Sequence, residues 1–279
     1  MINPFKDTYD FIKSNVVNLP QSVAMAGSTL KKFYGGAGFG WGWSVVKPLI
    51  FILIYWFTMN IGIRGNKPIT TDGGAQVPYI VWMVPGVICW FVFSDVLGQG
   101  VVCIRKNSHL VNKTVFPLAT IPVFNVMSYF VTHMFLIAIG VVIHYVNGYS
   151  LDLHFLQIFW YVPLFFLFSC VVTTFVSTLA VISRDFEQFV KAIMNIFFWL
   201  TPILWQTTKI EEQSKIVVLI FKLNPFYYFV SGYRSMFLGE GWFWDRPYYL
   251  LFIVVFTLVA ALITNSLFKK LSPEFADVL

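Results

Sequence analysis

VISRDFEQFVKAIMNIFFWLTPILW, residues 181–205, sets Arg184, Asp185, Glu187 and Lys191 between two stretches of almost pure hydrocarbon. So brief an interruption marks the point where one apolar segment stops and the next begins. The rest of the chain carries the same signature. Of 279 residues, 58% are hydrophobic, 19% aromatic and only 11% charged, with a mean hydropathy of +0.73. Soluble domains carry about 25% charged residues. The composition therefore reads as one all-α integral membrane domain.

A spanning helix needs about 20 mostly apolar residues. Six segments qualify, at approximately 41–62, 77–101, 120–146, 155–183, 189–205 and 248–268. Lys and Arg are in excess in the segments that lie inside if the N-terminus is cytosolic, so the reading is N-in and C-in, with a cytosolic tail over 269–279. Ser183 to Gln188 then falls on the cytosolic side, where the fourth span turns into the fifth. On a helix, Glu187 and Lys191 have the favourable i, i+4 order.

Residues 1–40 form a cytosolic N-terminus with an interfacial helix. Leu19, Val23, Ala26, Leu30 and Phe33 recur on one face, Asn18 can cap the start, Pro20 suits the first turn, and Lys31 and Lys32 favour the negative end of the dipole. Lys31, Lys32, Phe33 and Tyr34 are the candidate headgroup contacts. The start, MINPFKDTYDFIKSN, lacks the apolar core and cleavage site of a signal peptide and is expected to remain in the mature protein. YGGAGFGWGW, which follows, has no G-x-x-x-x-G-K-S/T or G-x-G-x-x-G pattern and so reads as a turn, not a phosphate cradle.

After the second span comes a short basic connection, CIRKNSHLVNKTVFPL, long enough for about two helical turns over 103–114. The longest outer connection, 206–246, holds IVVLIFK and PFYYFVSGYRSMFL, apolar but too short to span and separated by Asn224-Pro225. That pattern predicts a re-entrant helical hairpin. Its Tyr227, Tyr228, Tyr233, Trp242, Phe243 and Trp244 suit either sugar stacking or an interfacial aromatic belt.

Several chemistries are excluded by pattern. The net charge of +6 is scattered at the ends of apolar runs and forms no nucleic-acid stripe. Cys89, Cys103 and Cys170 make no C-x-x-C pair, and His133, His144 and His154 lack ligand spacing. No nucleophile and base pair stands out, so neither a catalytic residue nor a metal is expected. Asp95 is the lone acid inside a span, with Asn125, Ser128 and Thr132 on the third span as candidate partners. Ser169, Thr173 and Ser177 recur every fourth residue and read as close helix packing.

The order of these parts carries a resemblance over nearly the whole chain. It comprises an interfacial helix, a glycine-rich turn, the short basic helix, SRDFEQFVKAIMNIFFWLTPILW, NPFYYFVSGYR in the outer hairpin and a closing PEFADVL. This resembles the permease subunits of type 2 ABC exporters for lipid-linked polysaccharides. GIRGNKP after the first span, together with PILW and FADVL, looks most like wall teichoic acid translocation permeases. The segment after Phe33 lacks the basic residue often found after its Tyr.

The resemblance implies a polyprenyl-linked polymer as cargo and a bacterial plasma membrane as location. It also implies two copies of the permease with two copies of a separate ATPase that holds ATP and Mg. By the same resemblance, 103–114 is a coupling helix that contacts the ATPase through Arg105, Lys106, Asn107, His109 and Lys113, with Arg184, Asp185 and Glu187 beside it. Asp95, Asn125, Ser128, Tyr227, Tyr228, Tyr233 and Arg234 are the substrate-path candidates. Export of O-antigen or capsule is the alternative, and an integral membrane glycosyl or acyl transferase is the competing enzyme class.

Overall fold

The computed structural model describes residues 3–33, 38–111, 116–207 and 214–279. The chain folds as a helical bundle. Two helices, α1 (Pro4–Val17) and α2 (Leu19–Phe33), precede α3 (Trp43–Trp56), which continues as a π-helical segment, Phe57–Ile63. A two-stranded antiparallel hairpin, β1 (Ile69–Thr70) and β2 (Gln76–Val77), leads into α4 (Tyr79–Gly100). Then come α5 (Cys103–Lys106), α6 (Ser108–Val111), α7 (Thr120–Val146), α8 (Ile158–Ile182) and α9 (Arg184–Leu200). The chain closes with α10 (Lys215–Lys222), α11 (Pro225–Leu238), α12 (Pro247–Leu271) and α13 (Phe275–Val278).

Among the described residues five helical segments are long and apolar enough to cross a membrane: 43–63, 79–100, 120–146, 153–182 and 247–278. A sixth is counted if α10 and α11, bent by 85° at Leu223-Asn224, are taken as one. Burial sorts the five. Within its apolar window α4 is 78% buried, against 17% for α3 and 22% for α12, so α4 is the central post and the other two lie at the perimeter. Its apolar residues run almost all round, as a helix enclosed by others requires. At Gly100 an added Cβ would lie 2.6 Å from Thr173 Cγ2, so α4 and α8 come close together there. Ser169, Thr173 and Ser177 are fully buried on α8, as a small-residue packing stripe should be.

Ala26, Cys103, Ile104, Leu110, Phe268 and Phe275 form one apolar cluster that gathers α2, α5, α6 and the chain's end at one pole of the bundle, called here the α5 end. α1 joins it through Lys269, whose Nζ lies 2.8 Å from Asp7 Oδ1 and 2.9 Å from Asp10 Oδ2. The opposite pole holds the hairpin, α10 and the 239–246 loop, tied by Gly73 N–H donating to Glu240 (3.1 Å) and by Arg246 beside Asp72 (3.6 Å).

The structure revises three expectations. Asn18 does not cap α2; its amide turns back to Ser14 O at 2.7 Å and closes α1, a helix the sequence reading left unassigned. The packed face of α2 is Ser22 and Ala26, whose small side chains admit α7, while Leu19 and Val23 point outward. The segment 189–205 is not one helix. α9 stops at Leu200 because Pro202 supplies no N–H and forces Thr201 into extended backbone (ψ 132°). Its 17 residues reach about 25 Å, short of a hydrocarbon core of about 30 Å.

Candidate functional site

At the α5 end, α8 and α9 meet through one extended residue, Ser183 (φ −132°, ψ 121°). Asp185 and Glu187 fall in the first turn of α9, where the helix dipole favours negative charge. Glu187 is the hub of this corner. Its Oε2 accepts from Arg105 Nη1 of α5 at 2.7 Å and its Oε1 from Lys191 at 2.5 Å. The hydrogen bond and charge of Lys191, then those of Arg105, hold the Glu187 carboxyl below the ordinary carboxylate range. Arg105 also donates to the carbonyl of Ala180 near the end of α8. One guanidinium thus pins three elements, α5, α8 and α9.

The other candidates at this end divide. Lys106 reaches back to Gln99 Oε1 (2.6 Å) and Asn107 closes α5 on Cys103 O (2.8 Å). His109, Arg184 and Asp185 are exposed, as are Lys31 and Lys32 on α2. Lys113, Tyr34 and the side chain of Phe33 lie outside the described residues.

Asp95 does not face Asn125, Ser128 and Thr132. It is exposed on the one open face of α4, where the charge that bears on it is Lys47 of α3. Those three partners are buried between α7 and its neighbours. Ser128 Oγ donates to Phe124 O (2.9 Å), with Ala26 O at 3.2 Å, and Asn125 Oδ1 has no hydrogen-bond partner among the described residues.

Ring contacts fix the register around Asp95. Phe51 of α3 meets Phe91 of α4 (5.9 Å), Trp90 of α4 meets Phe198 of α9 (5.2 Å), and Tyr55 of α3 stacks on Phe198 (5.5 Å). α3 and α9 therefore close over α4 toward the far pole. Below that closure Lys47, Asp95, Gln99, Lys191 and Asn195 are all exposed, one polar set on three neighbouring helices.

At the far pole, the break after α9 is organised by Arg234 of α11. Its Nη1 donates to Pro202 O (2.8 Å) and its Nη2 to Ile203 O (2.5 Å), and the guanidinium lies 3.6 Å from the Trp82 ring centroid. Tyr79 donates to Leu204 O (2.7 Å), and Asn224 to Thr201 Oγ1 (2.9 Å). Carbonyls freed by the broken helix are thus satisfied inside the protein, as a lipid-surrounded chain demands. Gly86 makes room, since a Cβ there would lie 3.1 Å from Arg234 Nη2. Asn224 also caps α11 by accepting from Phe226 N (3.0 Å).

Of the tyrosine candidates, Tyr233 is fully buried and hydrogen-bonded to His133 Nε2 (2.6 Å), and Tyr228 accepts from Trp160 Nε1 (3.1 Å). Tyr227 is buried on the same helix. In the single chain, these rings and Arg234 hold α11 in the bundle. Trp242 stacks on Trp244 (4.7 Å) and Phe243 on Trp160 (4.6 Å).

The sequence reading missed Lys47, Trp82, Gly86 and the Arg105–Glu187 pair. An Arg in an apolar helix with no acid nearby was the available sign that backbone carbonyls would receive Arg234.

The described residues thus form a helical bundle with five apolar segments of membrane-spanning length, a basic linker bound to a charged inter-helix corner and a broken, clamped segment at the far pole. The profile of the ABC-2 type transporter family matches residues 20–238, and the chain belongs to that family. Two O-antigen export system permease proteins, RfbA, of Klebsiella pneumoniae are 28% and 25% identical to it over 263 and 262 residues, 92% of this chain and 94% of each relative. The RfbA protein of Myxococcus xanthus is 22% identical over 255 residues, 91% of this chain and 94% of the relative.

Proposed function

We propose that the chain is the membrane-spanning permease of an ATP-driven exporter. It moves a polyprenyl-linked surface polymer out of the cytosol across a bacterial plasma membrane, with both termini cytosolic. Two copies pair with two copies of an ATPase that holds ATP and Mg. The fifth crossing is α9 continued by 201–207, and α10 and α11 form the re-entrant hairpin. Connectivity supports this, because α8 ends at the α5 end while α12 starts at the far pole beside the Arg246 and Asp72 pair. An odd number of crossings lies between them, and a single one fits the short lengths of α10 and α11.

The observation that carries the transport reading is the polar set on α3, α4 and α9. An Asp has one methylene and cannot snorkel, and Asp95 sits about 7.5 Å inside the end of α4. A charged residue facing hydrocarbon costs about 2.5–3.5 kcal/mol at the centre of a span, and part of that toward the end where Asp95 lies. That cost vanishes if the face lines a water-filled passage between two copies, where carboxylate, amide and ammonium groups suit a hydroxyl-rich, phosphorylated head. The polymer's lipid tail stays in the bilayer.

Within that class the proposed cargo is wall teichoic acid, supported by GIRGNKP, PILW and FADVL. The names of the RfbA relatives favour an O-antigen type of polysaccharide as the second reading. Reconstituting the permease with its cognate ATPase in vesicles tests both. ATP hydrolysis stimulated by lipid-linked polyol phosphate supports the first reading, stimulation only by other lipid-linked glycans supports the second, and stimulation by neither overturns the exporter.

A further inference from the structure

α8 and α12 both end at the α5 end and meet at Phe168 and Phe256, whose ring centroids lie 6.4 Å apart. Beside that contact the seam between them opens into a groove of about 780 Å³. Val172 and Phe175 of α8 form one wall, and Phe252, Phe256, Val259 and Ile263 of α12 form the other. The lining runs along α12 from Tyr248 to Thr264, a rise of about 24 Å at about 1.5 Å per residue. A second hollow, of about 380 Å³, lies further along the same two helices at the α5 end. It is bounded by Leu179 and Ile182 of α8 and Leu271 of α12, and it turns onto Phe186 and Phe189 of α9. α9 also carries the exposed Lys191 and Asn195, so this apolar track ends on a helix that borders the proposed passage.

We propose that this track holds the polyprenyl tail of the cargo, lying along the bilayer normal with its phosphate at the α5 end. The proposal rests on the export reading for the chemistry of the cargo and adds where the tail is held. Length argues against an ordinary acyl chain. One leaflet of a hydrocarbon core about 30 Å thick gives such a chain about 15 Å, whereas the groove crosses the midplane. A long isoprenoid exceeds one leaflet and can fill it. Surface chemistry argues against a neighbouring helix, because spanning helices associate through small residues. The outer lip here is Leu251, Val255, Val259 and Ile263, spaced by four and 46–61% exposed. A second copy of the chain is placed elsewhere, against α3, α4 and α9. Charge then orients the tail. Exposed Arg184 and Lys270 adjoin the hollow at the α5 end in sequence, and with Asp185, which lines it, they leave a net positive mouth for a phosphate. The tail makes only dispersion contacts with these walls, so one groove accepts it whatever head it carries.

The experiment uses the permease with its cognate ATPase in phosphatidylglycerol nanodiscs, and a long-chain polyprenyl phosphate carrying a diazirine near its free end. After irradiation, mass spectrometry is expected to find the label on α12 at Phe252, Val255, Val259 or Ile263. Excess unlabelled long-chain polyprenyl phosphate should remove it, and geranyl phosphate, too short to pass one leaflet, should not. A Val259→Trp, Ile263→Trp variant fills the groove and should lose the label while keeping the wild-type unfolding midpoint. A Val259→Ile, Ile263→Val variant, which conserves volume, should keep the label. Displacement by geranyl phosphate, or a label spread evenly onto the exposed face of α3, would overturn the proposal and make the groove a lipid-facing surface like any other. So would a label that survives in the folded Trp variant. The export reading is measured separately, by stimulation of ATP hydrolysis with lipid-linked glycan. Stimulation without the label would strike the groove alone, and the label without stimulation by any glycan would count against export and leave a polyprenyl site in place.

Discussion

Arg105 and Glu187, 82 residues apart, form a 2.7 Å ion pair that joins the short basic linker to the first turn of α9. Both side chains are mostly buried, 26% and 14% exposed, so the contact is better protected than a surface pair. Losing a hydrogen bond between charged groups costs about 1.5–3 kcal/mol. Glu187→Gln is therefore expected to lower polymer-stimulated export about tenfold or more at matched ATPase association, whereas exposed Asp185→Asn stays near wild type. Equal rates for the two variants would return this corner to a solvated boundary. The comparison is made by transport and ATP hydrolysis in vesicles.

Arg234 is expected to resist even conservative change. Lysine offers no planar fork, so Arg234→Lys leaves Pro202 O or Ile203 O without a donor, at about 1–3 kcal/mol. Thermal unfolding of the purified protein should show the loss, and a wild-type midpoint would mean that the break after α9 does not depend on the clamp.

Gly86→Ala tests the same site from the other side. Its methyl group would crowd Arg234 Nη2 at 3.1 Å and Val230 Cγ1 at 3.2 Å. Overpacking of this kind costs about 1–3 kcal/mol. The double variant with Arg234→Lys should lose less than the sum, which a double-mutant cycle measures.

The α1 clamp predicts a broad pH plateau. The hydrogen bond from Lys269 holds the Asp7 carboxyl below its ordinary value, so its contribution is complete above about 3.9 and fades as pH falls through the lowered value. Asp7, then Asp10, raise Lys269, whose contribution is complete below about 10.4 and fades only as pH rises through the raised value. A nitroxide at Ser14 should therefore keep constant mobility from about pH 5 to 9 and loosen beyond both ends. Loosening inside that window would show that another group holds α1.

Cysteines at Lys67, near the hairpin, and at Asn107 and Gln188, at the α5 end, test sidedness. Membrane-impermeant thiol reagent applied to intact cells is expected to label only the first. The reverse pattern would invert every inside and outside assignment.

Much of this fold was legible because bilayer thickness forces long apolar runs, and the predicted 77–101 and 120–146 segments nearly coincide with α4 and α7. What escaped was set by tertiary contact. Nothing near Phe5, Tyr9, Ile12 and Val16 announces that a lysine more than 250 residues later will hold the opposite face of their helix. Pro202 is the sequence sign of the break after Leu200, masked by the apolar content of TPILW. Asp95 was recognised as exceptional, yet its neighbour could not be found from a stripe on one helix, because facing depends on how α3, α4 and α9 assemble. The charge cluster at 184–191 was visible as a cluster. Its attachment to Arg105 was not, since both loops are short and either could have faced water.

α9 is held at both ends by arginines that belong to other elements, Arg105 through Glu187 at one pole and Arg234 through Pro202 and Ile203 at the other. Such a helix behaves as a lever. It is about 25 Å long, so a tilt of about 10° imposed at the Glu187 end displaces the Pro202 end by about 4 Å, more than a hydrogen bond tolerates. The far-pole clamp must then either travel with the lever or let go.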